Sequence, residues 1–371
     1  MPPSTTADSA DPASRARALL GQYVEPWMGR SLAELDAVRG TEIRDGRLKL
    51  DIVLPFPTGD YRTELAAALT THLEAGGLQL PFDLSLATTI RAHAVQRQLK
   101  PLELIHNVIA VASGKGGVGK STVAVNLALA WAAAGARVGL LDADIYGPSQ
   151  PMMLGLAGQR PTSVDGKRIR PLSAHGIVAM SIGMLIDPEQ PMVWRGPMVT
   201  QALTQLLSDT DWGELDYLVV DMPPGTGDIQ LTLAQRVPVA GAVIVTTPQD
   251  IALADARKGL KMFEKVSIPV LGIVENMSLH VCSNCGHEEA IFGEGGGERL
   301  ATESGTEFLG KLPLDARIRA EADGGRPTAV AAPDTPRGRA YRDLARRTAA
   351  SLARRGKDRS SLFPKIVVEE S

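Results

Sequence analysis

The segment at residues 114–121, Gly-Lys-Gly-Gly-Val-Gly-Lys-Ser, constrains the fold more than any other part of the sequence. It matches the pattern G-x-x-x-x-G-K-[ST] and stands between an apolar stretch at 108–112 and an apolar helical stretch at 121–134. Glycines let the backbone turn so that successive N–H groups point at phosphate oxygens, and the following helix adds the positive end of its dipole. The sequence therefore predicts a strand, a phosphate-binding loop and a helix, in this order.

This loop and the start of its helix supply the predicted nucleotide contacts. They are Gly114, Lys115, Gly116, Gly117, Val118, Gly119, Lys120, Ser121 and Thr122. We expect Lys120 to contact the β- and γ-phosphates and Ser121 to bind Mg²⁺, which prefers hard oxygen ligands.

Carboxylates follow two further predicted strands, as nucleotide hydrolysis requires. The apolar stretch 217–220 runs into Asp221, which we expect to lie on the Mg²⁺ side of the site. The stretch 138–141 runs into Asp142 and Asp144, either of which could position the attacking water. We favour Asp144, so the predicted catalytic set is Lys115, Lys120, Asp144 and Asp221.

The order of apolar segments predicts the domain organisation. Apolar strands at 108–112, 138–141, 177–182, 217–220, 242–245 and 270–274 alternate with helical stretches, which is typical of an α/β, doubly wound, mostly parallel sheet. An α-β-β-α-β pattern precedes it. We predict a disordered lead-in at 1–13, a small α+β domain at 14–95, a linker at 96–107, the P-loop NTPase domain at 108–335 and a basic C-terminal helix and tail at 336–371.

Charge and apolar runs limit the partners that we expect. The chain has 39 Lys and Arg against 42 Asp and Glu, a formal net charge of −3, which does not favour nucleic acid. It contains no apolar run near the about 18 residues that a membrane-spanning helix needs. We therefore expect a cytoplasmic protein with no membrane and no nucleic-acid partner.

The thiol chemistry of the chain lies in one place, because its two cysteines are Cys282 and Cys285. Two thiolates at this spacing can bind one face of a metal site. Four interpretations remain open at this point: a metal cluster completed by a second chain, a zinc site completed by His280 and His287, a redox dithiol, and a purely structural pair.

Several motifs resemble one known family. Residues 115–121 resemble the deviant Walker A loop of the P-loop ATPases related to MinD, ParA and the nitrogenase iron protein. Residues 142–149, 194–197, 215–217 and 221–228 resemble the Mrp/ApbC branch, whose members are iron–sulfur cluster carriers. The resemblance implies an ATP-gated homodimer in which Lys115 reaches the partner's phosphates. It also implies an adenine contact from Asn276, and it likens the N-terminal module to a small iron–sulfur assembly domain.

The resemblance also favours one interpretation of the cysteines. A [4Fe–4S] cluster takes four thiolates, so two chains would each lend Cys282 and Cys285. We therefore expect ATP, Mg²⁺ and a [4Fe–4S] cluster as ligands, and apo iron–sulfur proteins as recipients of the cluster. Two alternatives within the wider family are a ParA/MinD-like positioning switch and a nitrogenase-reductase-like electron donor.

Overall fold

The structure is a computed structural model, and it describes residues 11–96, 99–163, 166–185, 196–282 and 284–355. The chain divides into two compact units, Met1–Ile90 and Arg91–Ser371. Most of the predicted lead-in and the end of the predicted tail lie outside the described residues. The first helix begins at Pro12, just inside the predicted lead-in, because proline suits the first turn of a helix.

The smaller unit has the predicted α-β-β-α-β order with an added two-stranded ribbon. Its elements are α1 (Pro12–Gln22), β1 (Val24–Glu25), β2 (Arg30–Ser31), β3 (Val38–Arg44), β4 (Arg47–Leu54), α2 (Tyr61–Ala75) and β5 (Phe82–Thr88). Strand β4 is central, antiparallel to β3 and parallel to β5. Asp45 and Gly46 both have positive φ angles, so they form the tight turn that the Asp-Gly pair predicts.

The larger unit alternates strands with helices. Its strands are β6 (Ile105–Ala112), β7 (Val138–Asp142), β8 (Thr162–Ser163), β9 (Ile169–Arg170), β10 (Leu172–Ala174), β11 (Ile177–Ser181), β12 (Leu215–Asp221), β13 (Gly241–Thr246), β14 (Val270–Glu275), β15 (His280–Val281), β16 (Glu288–Glu289) and β17 (Phe308–Lys311). Its helices are α3 (Lys120–Ala133), α4 (Gln150–Met153), α5 (Gly196–Asp209), α6 (Asp228–Arg236), α7 (Asp250–Lys265), α8 (Gly296–Ser304), α9 (Ala316–Asp323), α10 (Thr328–Ala331) and α11 (Pro336–Ala353), with a short 3-10 helix at Ile182–Met184.

One eight-stranded sheet organises this unit, in the order β10-β11-β7-β12-β6-β13-β14-β17. All of its pairs are parallel except β10 with β11, and apolar side chains are buried on both of its faces. This confirms the predicted doubly wound α/β fold. The sequence pattern found the six inner strands but neither edge strand, because β10 and β17 are short and only partly buried.

Strand register brings the predicted acidic residues to one edge of the sheet. Asp221 on β12 pairs in register with Asp142 on β7 and with Val111 on β6. The phosphate-binding loop leaves β6 at the same edge. In open parallel sheets, ligands bind outside the carboxyl ends of the strands, where the strand order reverses.

The predicted linker is packed onto the larger unit. Strand β6 already begins at Ile105, and the Gln96 amide donates to the carbonyls of Ala234 and Val237 at 2.8 and 3.1 Å. The side chain of His93 is buried, with Nδ1 2.9 Å from Asn107 Oδ1. Buried polar groups need partners, so these contacts hold the segment against the sheet.

The basic C-terminal helix is part of the same core. One face of this helix is buried throughout, and it consists of Tyr341, Leu344, Ala345, Thr348 and Leu352. Trp131 on α3 donates to the Ala345 carbonyl at 2.8 Å. No helix in the described parts of the chain has both the length and the apolar character needed to cross a membrane.

Candidate nucleotide site and cysteine pair

The phosphate-binding loop depends on its glycines for shape. Gly117 and Gly119 have φ angles of +82° and +80°, which strain any residue with a side chain. A Cβ at Gly114 would lie 2.2 Å from the backbone of Asp255 on α7. At Gly116 and Gly117 a Cβ would meet nothing within 4 Å, so the loop presents bare backbone to open space there. This is the cradle that a phosphate chain requires.

Lys120, the first residue of α3, is buried and faces carboxylates. Its ammonium donates to Asp221 Oδ1 at 2.5 Å and lies 3.9 Å from Asp144 Oδ2. It also donates to Ser121 Oγ at 3.1 Å. The oxygens of Ser121 and Asp221 therefore converge on one positive charge, and this hard donor set fits Mg²⁺.

The two aspartates that follow β7 have different surroundings. Asp142 is completely buried, and its carboxylate accepts from the N–H groups of Asp144, Ser149 and Gln150 and from the Ser181 hydroxyl, at 3.1–3.2 Å. Burial, and then the charge of Asp221, raise the pKa of Asp142 to about 7. Through these hydrogen bonds the Asp142 carboxylate holds the loop that follows β7.

Asp144 is more accessible, with 14% of its side chain exposed. Burial raises its pKa, while the nearby Lys120 charge acts in the opposite direction. Of the two aspartates, Asp144 has the more accessible carboxylate, and this favours it as the residue that positions water.

Gln150 belongs to this site and was not predicted. Its Nε2 donates to Asp221 Oδ2 at 2.8 Å and to the Ser121 carbonyl at 3.1 Å, so it ties two predicted Mg²⁺ ligands together. Its Oε1 is buried and has no hydrogen-bond partner within the described residues. In the sequence, Gln150 is only an amide residue that directly follows the motif at 142–149, and no motif of known spacing assigns it to the site.

Asn276, the predicted adenine contact, holds the phosphate-binding loop. It follows β14 directly, and its Nδ2 donates to the Val118 carbonyl at 2.9 Å. A Cβ at Gly119 would lie 2.3 Å from the same nitrogen. Asn276 therefore contacts the loop through its amide nitrogen, and an adenine contact stays a prediction.

The other predicted site residues are placed as follows. Lys115 is half-buried in the loop, and its carbonyl accepts from Ser113 Oγ at 2.8 Å. Thr122 is half-buried in the first turn of α3. Trp194 and Arg195, from the motif at 194–197, lie outside the described residues.

The cysteines lie on a small hairpin formed by β15 and β16. We define the cysteine arm as residues 279–296, which contains β15 and β16. Cys282 N–H donates to the His287 carbonyl at 2.9 Å, and the Cys285 side chain is exposed. Backbone N–H groups of Cys285 and then Asn284 lower the pKa of the Cys282 thiol, and the Cys285 side chain, also within hydrogen-bond distance, adds to this effect.

The two histidines of the arm are not gathered with the thiols. His280 Nδ1 lies 3.0 Å from the Leu314 carbonyl, and His287 is exposed. Within the described residues, no three His, Cys, Asp or Glu side chains are placed to hold a metal ion.

Comparison with known families agrees with this geometry. The family model described as NUBPL iron-transfer P-loop NTPase matches residues 104–349, and that of the iron–sulfur cluster assembly proteins matches residues 14–77. An iron–sulfur cluster carrier protein of Escherichia coli K12 is 51% identical over 333 residues, covering 90% of each chain. The mouse iron–sulfur cluster transfer protein NUBPL is 52% identical over 260 residues, covering 70% of this chain and 81% of its own.

Solved structures show the same fold. A nucleotide-binding protein of Archaeoglobus fulgidus, in complex with ADP, is 41% identical, with a TM-score of 0.54 over 61% of this chain and 88% of its own. The Pyrococcus furiosus cell division ATPase MinD is 21% identical, with a TM-score of 0.51 over 65% of this chain and 97% of its own, and supports the fold alone. The resemblance seen in the sequence is confirmed. The chain belongs to the family of NUBPL iron-transfer P-loop NTPases.

Proposed function

We propose that this protein is an ATP-dependent iron–sulfur cluster carrier, which holds a [4Fe–4S] cluster between two copies and passes it to apoproteins. The observation that carries the proposal is the pair Cys282 and Cys285, close together on an exposed arm of a P-loop NTPase. The names of the relatives in Escherichia coli and mouse support it. A cytoplasmic location follows from the proposal as an expectation.

Ligand arithmetic supports sharing of the cluster. The chain contains two cysteine thiols, and a [4Fe–4S] cluster is bound by four thiolates. A twofold axis next to the arm gives both copies the same role and completes the ligand set. An exposed site also suits a carrier, because the cluster must leave it. In this proposal the cluster is cargo.

The residues around Lys120 support ATP binding and hydrolysis. Lys120 exchanges its contact with Asp221 for the phosphates, while the loop N–H groups and the α3 dipole neutralise phosphate charge. Ser121 and Asp221 hold Mg²⁺, which supplies charge stabilisation to the transferred phosphoryl group. Asp144 orients the attacking water, and Lys115 of one copy contacts phosphates held by the other.

Iron stoichiometry tests the cluster assignment. The protein is reconstituted anaerobically with iron and sulfide, and iron, zinc and molecular mass are measured. We expect about four irons per dimer, the content of one [4Fe–4S] cluster. Cys282→Ala should lose the iron, whereas His287→Ala, the matched control on the same arm, should retain it. A monomer that holds one zinc ion and loses it in His287→Ala contradicts the proposal.

Cluster transfer is measured separately. The reconstituted protein is mixed with an apo iron–sulfur protein, and the recipient's activity or absorbance is followed with and without ATP. The proposal predicts that Lys115→Met, which leaves the buried ion pair of Lys120 intact, slows the ATP-dependent transfer. Equal transfer by the wild type and the variant rules out dependence on ATP.

A further inference from the structure

Glu275 is a buried carboxylate that the proposed chemistry does not use. It ends β14, has 0% exposure, and accepts two hydrogen bonds. Its Oε1 accepts from the Ser278 hydroxyl at 2.7 Å, and its Oε2 accepts from the Gly297 N–H at 2.6 Å. Burying a carboxylate is costly, so the bonds it makes determine whether the fold tolerates it.

Its two donors stand at opposite ends of the cysteine arm. Ser278 directly precedes the arm, and Gly297, in the first turn of α8, directly follows it. One side chain therefore contacts both the entry and the exit of the segment that carries the two thiols, and the entry is held in addition by backbone hydrogen bonds from Ser278 to Leu312 and from Leu314 to Leu279. The positive end of the α8 dipole adds to the bond at Gly297.

The sequence around Gly297 is adapted to this contact. A Cβ at Gly297 would lie 2.9 Å from Glu275 Cβ and 3.3 Å from its Oε2. A Cβ at Gly296 would lie 2.7 Å from the Pro248 carbonyl. Glycines at these positions let α8 approach the end of β14 closely enough to be capped by Glu275.

The residue after Glu275 contacts the phosphate-binding loop. Asn276 Nδ2 donates to the Val118 carbonyl, and its backbone N–H is fixed to the Thr246 carbonyl at 2.8 Å. Met277 then adopts a φ of +55°, a left-handed turn that separates the directions of Asn276 and Ser278. Two consecutive buried residues thus contact different segments. Asn276 contacts the phosphate-binding loop, and Glu275 contacts the residues that flank the cysteine arm.

We propose that Glu275 and Asn276 are positioning residues that connect the phosphate-binding loop to the cysteine arm, so that nucleotide binding changes the accessibility of Cys282 and Cys285. The loop moves its Val118 carbonyl when its N–H groups close on phosphates, and Asn276 follows it. Glu275 transmits this displacement to both ends of the arm. The role of this connection in cluster transfer rests on the proposed function. The change in thiol accessibility itself can be measured without a cluster.

Thiol labelling tests the link, because Cys282 and Cys285 are the only thiols in the chain. The reduced, iron-free protein is reacted with a chromogenic disulfide, with and without ATP and Mg²⁺, and ATP binding is measured with a fluorescent analogue. We expect nucleotide to change the wild-type labelling rate about fivefold or more, the lower end of typical coupling between two sites.

Glu275→Gln is the informative variant. Glutamine keeps the size of the side chain but offers one acceptor oxygen, so one of the two donors faces an N–H group. We expect the variant to bind ATP while its labelling rate no longer responds to nucleotide. Glu289→Gln, the same change at an exposed position on β16, should respond as the wild type does.

Each outcome has a defined consequence. A Glu275→Gln protein with the full wild-type response overturns the proposal, as does a wild type whose thiols ignore nucleotide. Where Glu275→Gln does not fold or bind ATP, Ser278→Ala, which removes one donor only, decides: an undiminished response overturns the proposal. A protein that takes up no iron but keeps a Glu275-dependent response refutes the carrier function and leaves the link standing.

Discussion

Replacing Lys120 by methionine tests whether the phosphate-loop lysine stabilises the fold before any nucleotide binds. Lys120 is 5% exposed, and its ammonium contacts Asp221 at 2.5 Å and lies 3.9 Å from Asp144. Methionine keeps most of the volume of the side chain and removes its charge. We expect Lys120→Met to be strongly destabilised without nucleotide, although a lysine that served binding alone could be replaced at little cost.

The structure sets the size and the pH dependence of the effect. Removing one partner of a buried ion pair costs about 3–5 kcal/mol, because the other charge stays buried and uncompensated. The pKa of Asp142 is already raised to about 7 from 3.8 by burial and the Asp221 charge, so the native state holds a proton there that the unfolded chain releases. The unfolded state binds fewer protons in this window, so stability falls as pH rises from about 4 to 7. The Lys120 charge lowers the pKa of Asp142, so its loss raises that pKa further and extends the fall to higher pH.

Urea unfolding of the nucleotide-free chain at pH 6 and pH 8 measures the effect. Tryptophan fluorescence is followed in a Trp27→Phe background, which removes the tryptophan of the smaller unit and leaves those of the larger unit, among them the buried Trp131 and Trp212. Lys115→Met is the matched control, since within the described residues the Lys115 side chain makes no hydrogen bond or ion pair, and it should cost less than about 1 kcal/mol. Adding Asp221→Asn to Lys120→Met should recover part of the loss. A Lys120→Met protein as stable as the wild type would refute the reasoning.

Three further predictions concern other contacts. Asp144→Asn should lower the ATP turnover rate about 100-fold, as expected for loss of a general base, with ATP affinity retained; unchanged turnover would exclude its proposed role. Trp131→Phe should lower the free energy of unfolding by about 2 kcal/mol, because the Ala345 carbonyl loses its buried donor, and a loss below about 0.5 kcal/mol in urea would show that this bond does not hold α11. Gly119→Ala should abolish binding of a fluorescent ATP analogue, since its Cβ would displace Asn276 and its φ is +80°; wild-type affinity would show that the loop does not need this geometry.

The sequence predicted those parts of the site that depend on local pattern. The loop at 114–121 was predicted from a motif of fixed spacing that follows an apolar strand. Asp221 was predicted because it directly follows another apolar strand. Register then placed Asp142 and Asp221 side by side, as parallel strands require.

Gln150 and Glu275 could not be predicted in the same way. Gln150 reaches Asp221 because α4 packs beside α3, which is a tertiary contact. The sequence shows Glu275 as a charged residue at the end of an apolar strand. Its role depends on a hydrogen bond from Gly297, which is 22 residues further along the chain, and no local pattern predicts that contact. Likewise, Gln96 was assigned to a linker because its partners at 234 and 237 are distant in sequence.

The contact between Trp131 and Ala345 joins residues 214 positions apart, and it sets the order in which a growing chain can fold. Strand β6 is synthesised well before its sheet neighbours β12 and β13, and α11, which packs on α3, follows later still. Such long-range pairing slows folding and keeps apolar surface exposed during synthesis. The apolar surface of β6 and α3 therefore stays uncovered on the nascent chain until α11 has been made, which makes this protein a candidate for chaperone assistance.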